Sequence, residues 1–426
     1  MADRPTAPKG TYDILPNQQA TRRWVVARAT EVFRRYGYGR LDTPVFEETR
    51  LFARGVGEST DIVRKEMYTF TDLGGRSMTL RPEGTAPCAR AYVEHGMHKL
   101  PQPVKLWYHC PMFRYESPQS GRYRQHHQFG IEAFGSDSPA LDAEAIGVLA
   151  ELYRDIGLAQ TELRINSMGC RQCRPTYSEE LRSFLTEHRG ELCPECLERS
   201  RLNPMRTFDC KVPGCGEVLQ NAPRLTDFLC PDCAAHHEEV KKYLGLQGID
   251  YVEDHRLVRG MDYYTRTTFE FQSAVLGAQS GVGGGGRYDD LVETIGGPPT
   301  PGVGFGTGVE RILLALARSR DDLPAEASPA AYVVALSDST RAEAFRFAHE
   351  ARRLGAAVDI DYAGRSVKGQ MKQAGRSRAR YAVIVGEDEV AESSVTLKDL
   401  GTGEERTLPR IDAMTLIVEA DDKGGS

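Results

Sequence analysis

Between Asn17 and Tyr38 the apolar side chains Trp24, Val25, Ala29, Val32 and Phe33 recur at the spacing of one helical face, and Gly37 supplies a stop. From there to about Phe134 the pattern changes to short apolar and β-branched runs separated by Gly and Pro, as an antiparallel sheet requires. Helical spacing returns in SPALDAEAIGVLAELYRDIGL, with Ser138 placed as N-cap and Pro139 at the first position. A cysteine-rich piece then interrupts. Alternation resumes near Tyr251 and runs through RGMDYYTRTTFEF, where Thr265, Thr267, Phe269 and Phe271 share one side and Tyr264, Arg266, Thr268 and Glu270 the other. The first side can enter a core. The second carries a phenol, a guanidinium and a carboxylate, which cost free energy to bury unless they are paired. The glycines at 283–286 of GVGGGGRYDDL read as a tight turn with close backbone approach. GVGFGTGVERILLALARS reads as strand, turn and helix. Past the Pro/Ala-rich linker DDLPAEASPA, the buried-type strands AYVVAL, AVDIDY and YAVIVG alternate with helices, the pattern of a small α/β domain with a parallel-leaning sheet.

A chain of 426 residues has room for two or three domains. Its net charge of −6 lacks a global basic signature, so any nucleic-acid contact must come from local patches. The N-terminus has no signal-peptide core, and no apolar run approaches the roughly 18 to 20 residues of a membrane helix, so a cytoplasmic protein without membrane contact is expected. Of ten cysteines, eight form close pairs, Cys170/Cys173, Cys193/Cys196, Cys210/Cys215 and Cys230/Cys233. Such spacing lets two thiolates reach one Zn2+, and four pairs suffice for one or two structural sites of four thiolates. Reduced buried thiols are the alternative. Candidate groupings join Cys170/Cys173 to Cys230/Cys233, and Cys193/Cys196 to Cys210/Cys215. Cys88 and Cys110 read as small buried residues.

Neither G-x-x-x-x-G-K-[ST] nor a G-x-G-x-x-G between strand and helix occurs. Instead, Gly304, Gly306 and Gly308 lead into a helix whose third residue is Arg311, which sets a guanidinium at a positively polarised helix start, suited to a polyphosphate. RPEGTAPCAR places Glu83 and Thr85 in a turn fixed by Pro82 and Gly84. FRYESPQSGRYRQHHQFGIEAFG reads as strand, basic loop and strand: Arg114 ends the first, the loop holds Arg122 and Arg124, and Gln128, Gly130 and Glu132 share a face of the second.

These segments resemble a known family. FRYESPQSGRYRQHHQFGIE is similar to motif 2 of class II aminoacyl-tRNA synthetases and GVGFGTGVERI to motif 3. RGMDYYTRTTFEF and GGGGRYDDL look like the two signature segments of histidyl-tRNA synthetases, and GTYDILP and RPEGT fit the same enzymes. The resemblance implies an α+β fold: a class II synthetase-like antiparallel sheet flanked by helices over 1–325, with a helical cysteine-rich insertion at about 170–244. A C-terminal α/β anticodon-binding domain would occupy 329–426. It also implies a homodimer that uses ATP and Mg2+ to attach L-histidine to its tRNA.

Carried over by residue, Glu83, Thr85 and Gln128 would hold the α-amino group of histidine, while Glu132 and Tyr264 would read the imidazole with Tyr263 beside them. Arg114 would bind the α-phosphate of ATP and Arg259 would approach the same centre, these two being the catalytic pair. Arg122 and Arg311 would hold the outer phosphates, bridged by Mg2+. The histidine carboxylate attacks the α-phosphorus in line, and a terminal adenosine hydroxyl of the tRNA then takes the acyl group. Fixed guanidiniums and positioning suffice, with no protein nucleophile. His126 and His127 read as packing or loop residues. In GRSVKGQMKQAGRSRARY, the cations Lys368, Lys372 and Arg376 lie in a run without acidic residues, a tRNA-contact surface by the same resemblance. The rival reading is a non-catalytic synthetase-like regulatory subunit of histidine biosynthesis. A zinc-containing RNA-binding module without catalysis would leave Arg114, Glu132, Arg259 and Arg311 unexplained.

Overall fold

In the computed structural model, residues 4–57, 60–158, 160–277 and 280–424 are described. The chain divides into two compact units, one formed by 1–15 and 21–324 and the other by 16–20 and 325–426. The larger is built on an eight-stranded sheet. In spatial order its strands are Gly39–Arg40, Val104–Phe113, Gln125–Phe134, Gly302–Gly308, Gly281–Arg287, Thr265–Ser273, Thr161–Ser167 and Val252–Glu253. The inner pairings are antiparallel, and the two-residue strand at each edge pairs in parallel.

Register divides the sheet into two faces, because residues directly opposite one another point to the same side. One row runs Trp107, Ile131, Phe305, Gly285, Phe269 and Ile165, all in or beside the main core. Helices Gln19–Arg35, Pro139–Asp155 and Val309–Ser319 cover this face; Phe33 of the first packs on Trp107 with ring centroids 5.4 Å apart. The opposite face is polar and rich in glycine. There Glu132 lies across from Gly304, and Gly304 across from Gly286. Gly130, Gly306, Gly284 and Glu270 form the next row.

Three local expectations change. The glycines at 283–286 form the inner strand Gly281–Arg287 rather than a turn: Gly284 and Gly286 leave room on the polar face for Arg259 and Tyr264, while Gly283 and Gly285 face the core side, where a Cβ would meet Tyr153 and the backbone of Gly304. Thr85 opens the helix Thr85–Glu94 instead of sitting within a turn. Arg266 leaves the alternation of its strand: its φ is +45°, and it pairs with the chain at Met168 and Gly169. The register slips beside it, between Gly286 and Arg287.

The insertion is helical, with Cys173–Glu187, Pro194–Leu202 and Pro213–Leu219 around a small core of their own that includes Tyr177, Leu181, Leu219 and Leu225. Helix Pro231–Leu246 returns to pack on Pro139–Asp155. Their junction is polar: Asp142, fully buried, accepts from His236 at 2.8 Å and from the guanidinium of Arg287.

The smaller unit holds a five-stranded sheet ordered Val358–Ile360, Ala331–Ala335, Tyr381–Val385, Ser394–Asp399 and Glu405–Pro409. The first three strands are parallel and the last two pairings antiparallel. Helices Arg341–Arg353, Val367–Arg376 and Arg410–Gly424 accompany it. Among the described residues no helix is long and apolar enough to cross a membrane.

Candidate active site

The polar face of the large sheet floors a cavity of about 1300 Å³, lined among others by Glu83, Thr85, Arg114, Gln128, Arg259 and Arg311. Arg122 and Tyr264 also line it, whereas the buried Glu132 and Tyr263 stand behind its surface.

Glu132 is fully buried. Its Oε1 accepts from the Thr85 hydroxyl at 2.7 Å and the Tyr108 hydroxyl at 3.3 Å, and Tyr288 donates to Oε2. Burial raises its pKa to about 8, with the hydroxyls of Tyr288 and Thr85 pulling against that rise. Gln128 donates from Nε2 to the Tyr108 oxygen at 3.2 Å, so one phenol joins both side chains. The facing strand makes room. A Cβ at Gly304 would collide with the Glu132 carboxylate, and one at Gly306 with the Gln128 amide.

Glu83 accepts from the amides of Thr85 at 2.6 Å and Ala86 at 3.0 Å, occupying the free N–H groups at the start of Thr85–Glu94. Burial raises its pKa while those amides lower it. Arg259 donates to Glu270 Oε2 at 2.7 Å, and its Nε is buried without a hydrogen-bond partner among the described residues. The rings of Tyr263 and Tyr264 lie 4.7 Å apart, and Tyr263 meets Tyr288 edge-on at 5.7 Å.

Around the opening stand the other guanidiniums. Arg114 donates from Nε to the Pro82 carbonyl at 2.7 Å, and its terminal nitrogen lies 3.8 Å from Glu116. Arg122 lies 3.6 Å from the same carboxylate. Arg311 donates to the Gly281 carbonyl at 2.5 Å; burial, and then the charge of Arg122, lower its pKa. Beside it Glu310 gathers Tyr12 and Arg22, each at 3.1 Å, and the His127 amide at 2.8 Å. Burial opposes its ionisation, yet His127 and Arg22 hold Glu310 down at about 2. His126 lines the cavity, and burial lowers its pKa to about 4, so it is neutral at pH 7.

Tyr108, Tyr288 and Glu310 carry the site without having been singled out in the sequence. Tyr108 alternates with Leu106 and Cys110 and so reads as core; Tyr288 sits inside GGGGRYDDL, where the glycines dominate the pattern. Glu310 had one signal, its place in the first turn of a helix beside Arg311.

The eight paired cysteines fall into two groups, Cys170, Cys173, Cys230 and Cys233, and Cys193, Cys196, Cys210 and Cys215, with the sulfurs of each mutually within 4.8 Å. All are free thiols. Sulfur separations are 3.6 Å for Cys170 to Cys173, 3.9 Å for Cys170 to Cys230 and 3.8 Å for Cys193 to Cys210. A tetrahedral Zn2+ with bonds of about 2.3 Å requires sulfur separations of about 3.8 Å. Backbone amides point at the sulfurs: Cys230 N lies 3.2 Å from Cys173 Sγ, and Cys193 N lies 3.2 Å from Cys215 Sγ. Cys88 and Cys110 are buried elsewhere, in the cluster of Tyr108, Tyr263 and Tyr288 on the polar-face side of the sheet.

In the smaller unit Lys368, Lys372 and Arg376 are exposed on helix Val367–Arg376, four residues apart and so on one face. None makes an ion pair with the described residues, whereas Arg365 is taken by Asp361 at 2.5 Å. Gln370 turns inward from the same helix and holds the Ala335 amide at 2.9 Å.

The profile of the histidyl-tRNA synthetase family matches residues 10–312. The chain belongs to that family. An anticodon binding domain profile matches residues 330–420. A histidine–tRNA ligase of Desulforamulus reducens is 51% identical over 401 residues, covering 94% of this chain and 96% of its own. One from Caldanaerobacter subterraneus is 50% identical over 399 residues, with coverage of 94% and 96%. The crystal structure of apo S. aureus histidyl-tRNA synthetase superposes with a TM-score of 0.81 at 38% identity, covering 97% of this chain and all of that one. Residues 330–420 of the smaller unit thus carry the anticodon-binding domain of this family.

Proposed function

We propose that the protein is a histidine–tRNA ligase that joins L-histidine to its tRNA through a histidyl-adenylate. The observation that carries this reading is one cavity with a buried, hydroxyl-bound carboxylate at its floor and guanidiniums at its rim. Glu83, Thr85 and Gln128 hold the α-amino group. Glu132 and Tyr264 read the imidazole, with Tyr263 packed beside them. A site built to hydrogen-bond both polar edges of a ring leaves buried groups unpaired when an apolar amino acid enters, which costs on the order of 10^4-fold in discrimination.

ATP enters as its Mg2+ complex. Arg114 and Arg259 approach the α-phosphate, and Arg122 and Arg311 the outer phosphates. A carboxylate oxygen of histidine attacks the α-phosphorus, the bond to the bridging oxygen breaks and pyrophosphate leaves. A hydroxyl of the terminal tRNA adenosine then attacks the acyl carbon and AMP departs. Charge shifts between phosphate oxygens in both steps, and fixed guanidiniums stabilise it without reorganising. Lys368, Lys372 and Arg376 supply phosphate contacts to tRNA. The working protein is a cytoplasmic homodimer. Each group of four thiolates holds one structural Zn2+, for which the sulfur spacing and inward-pointing amides are the fit.

The regulatory-subunit alternative lacks support from this cavity, since such a subunit has no use for four guanidiniums converging beside an amino-acid site. Exchange of labelled pyrophosphate into ATP decides the matter. Exchange that requires histidine among the standard amino acids is expected, and none with histidine present would overturn the reading.

A further inference from the structure

The segment that carries Arg259, Tyr263 and Tyr264 precedes strand Thr265–Ser273 and has no sheet partner before it. What holds it comes in large part from the insertion. Arg206 donates to the Arg259 carbonyl at 3.0 Å and to Asp262 Oδ1 at 2.7 Å. Asn203 reaches the same oxygen at 3.3 Å. Between them Met205 packs into the apolar cluster of Tyr263, Tyr264, Val258 and Met261. On the far side the Asp262 amide donates to the Val56 carbonyl at 3.0 Å. Thus Asn203, Met205 and Arg206 form a clamp on the loop that presents the catalytic arginine.

The clamp has little structure of its own. It is the short 3-10 helix Pro204–Asp209, bracketed in sequence by Cys196 in the preceding helix and by Cys210, which ends it. Both belong to the group Cys193, Cys196, Cys210 and Cys215. The other group, Cys170 and Cys173 with Cys230 and Cys233, instead joins the two points where the chain leaves and re-enters the sheet-bearing part.

Resting on the zinc reading and on the proposed activation of histidine, we infer that the ion in the Cys193/Cys196/Cys210/Cys215 site is a positioning device for the active site. By tying Cys210 to Cys196 it fixes the Pro204–Asp209 turn, and through Arg206 it sets the backbone of Arg259 and Asp262. Arg206 borders the cavity, and its role here is that of a positioning residue, acting through the Arg259 carbonyl and the Asp262 carboxylate. Losing this ion releases the clamp while the eight-stranded sheet and the other zinc site stay intact. Histidine activation then becomes sensitive to anything that removes zinc or oxidises these thiols, although no thiol takes part in the chemistry.

The full-length protein tests this with two readouts, zinc content and histidine-dependent pyrophosphate exchange. Wild type is expected to hold two zinc ions per chain. Arg206→Ala should keep both ions yet lower kcat of exchange between about 10- and 100-fold, with a smaller change in KM for ATP. Arg206→Lys, which can keep the bond to Asp262, should recover part of that loss. Cys210→Ser should lose one ion and fall in kcat by a similar factor. In the double variant the losses should not multiply, because both break the same link. Full exchange kcat in Arg206→Ala, or losses that multiply in the double variant, would overturn the coupling. Metal-free, fully active wild type would overturn the zinc reading on which it rests, and wild type without histidine-dependent exchange would instead overturn the assigned activity. Arg206→Ala leaves every cysteine in place, so the coupling stays testable even if Cys210→Ser fails to fold.

Discussion

At the floor of the cavity the oxygens of Glu132 meet the hydroxyls of Thr85, Tyr108 and Tyr288, whereas at the rim Arg114, Arg122 and Arg311 face Glu116 and one another. Glu132 and Tyr108 stand on inner strands with glycine opposite, and Thr85 at a helix start and Tyr288 just past a strand end bind the Glu132 carboxyl, so the floor is locked before any ligand arrives. The rim side chains hang from a strand end, a loop and a helix start, and the repulsion between Arg122 and Arg311 favours an anion between them. Under the proposed function the contrast follows from two tasks. Rejecting the wrong side chain needs buried groups that suffer when left unpaired, while phosphoryl transfer needs fixed positive charge where negative charge moves.

Substitutions at the two ends should therefore fail in different parameters. The largest effect is expected at the rim, where Arg114→Ala should cut kcat of exchange by roughly 10^2- to 10^3-fold with a modest change in KM for histidine. A pure KM effect would mean that the rim only binds. At the floor, Glu132→Gln keeps the shape but can no longer ionise against an entering imidazole, and a charge-assisted hydrogen bond is worth about 1.5 to 3 kcal/mol, or roughly 10- to 150-fold. That loss should fall on kcat/KM for histidine with KM for ATP nearly constant; a variant that keeps its selectivity for histidine would remove Glu132 from the imidazole-reading role.

A third test lies outside the cavity. Replacing Lys368, Lys372 and Arg376 with Ala should leave exchange untouched, weaken charging of tRNA, and flatten the salt dependence of tRNA binding by up to about two to three log units per log unit of salt. An unchanged salt slope would place this helix face away from tRNA, and a fall in exchange matching the fall in charging would tie it to the adenylate step.

The smallest effect concerns stability. Glu132 keeps its proton to about pH 8 in the folded chain and loses it near 4.5 when unfolded, so the folded state binds more protons across that interval. Its contribution to stability is present below pH 4.5 and lost as the pH rises through about 8. Relative to Glu132→Gln, the melting temperature of the wild type should accordingly decline between about pH 5 and 8.5, measured by thermal melts across that range. A difference that does not vary with pH would mean that the carboxyl ionises normally despite its burial.

Much of this architecture was legible from spacing. Val25, Ala29, Val32 and Phe33 announced the first helix, and Phe269 and Phe271 the buried side of their strand. Glu83, Thr85, Arg114 and Arg259 stood out only together, through the resemblance of their segments to the family's motifs. Tyr108 and Tyr288 were hidden, since a phenol within an apolar alternation reads as core until its hydroxyl is found on Glu132. Arg266 misled for the opposite reason: it obeys the alternation in sequence, and only its left-handed backbone removes it from the polar face.

By itself the sequence determined the local periods, the stops at Gly and Pro, the cysteine pairs and the signature segments, because each depends on residues a few positions apart. Tertiary structure decided what those pieces meet. It set glycines of one strand beneath the carboxylate and amide of its neighbour, and it sorted four cysteine pairs into two groups of four. It also carried Arg206 from the insertion to the carbonyl of Arg259, 53 residues further along the chain. Such meetings depend on strand register and on the path of a long insertion, and no short-range pattern in the chain encodes either.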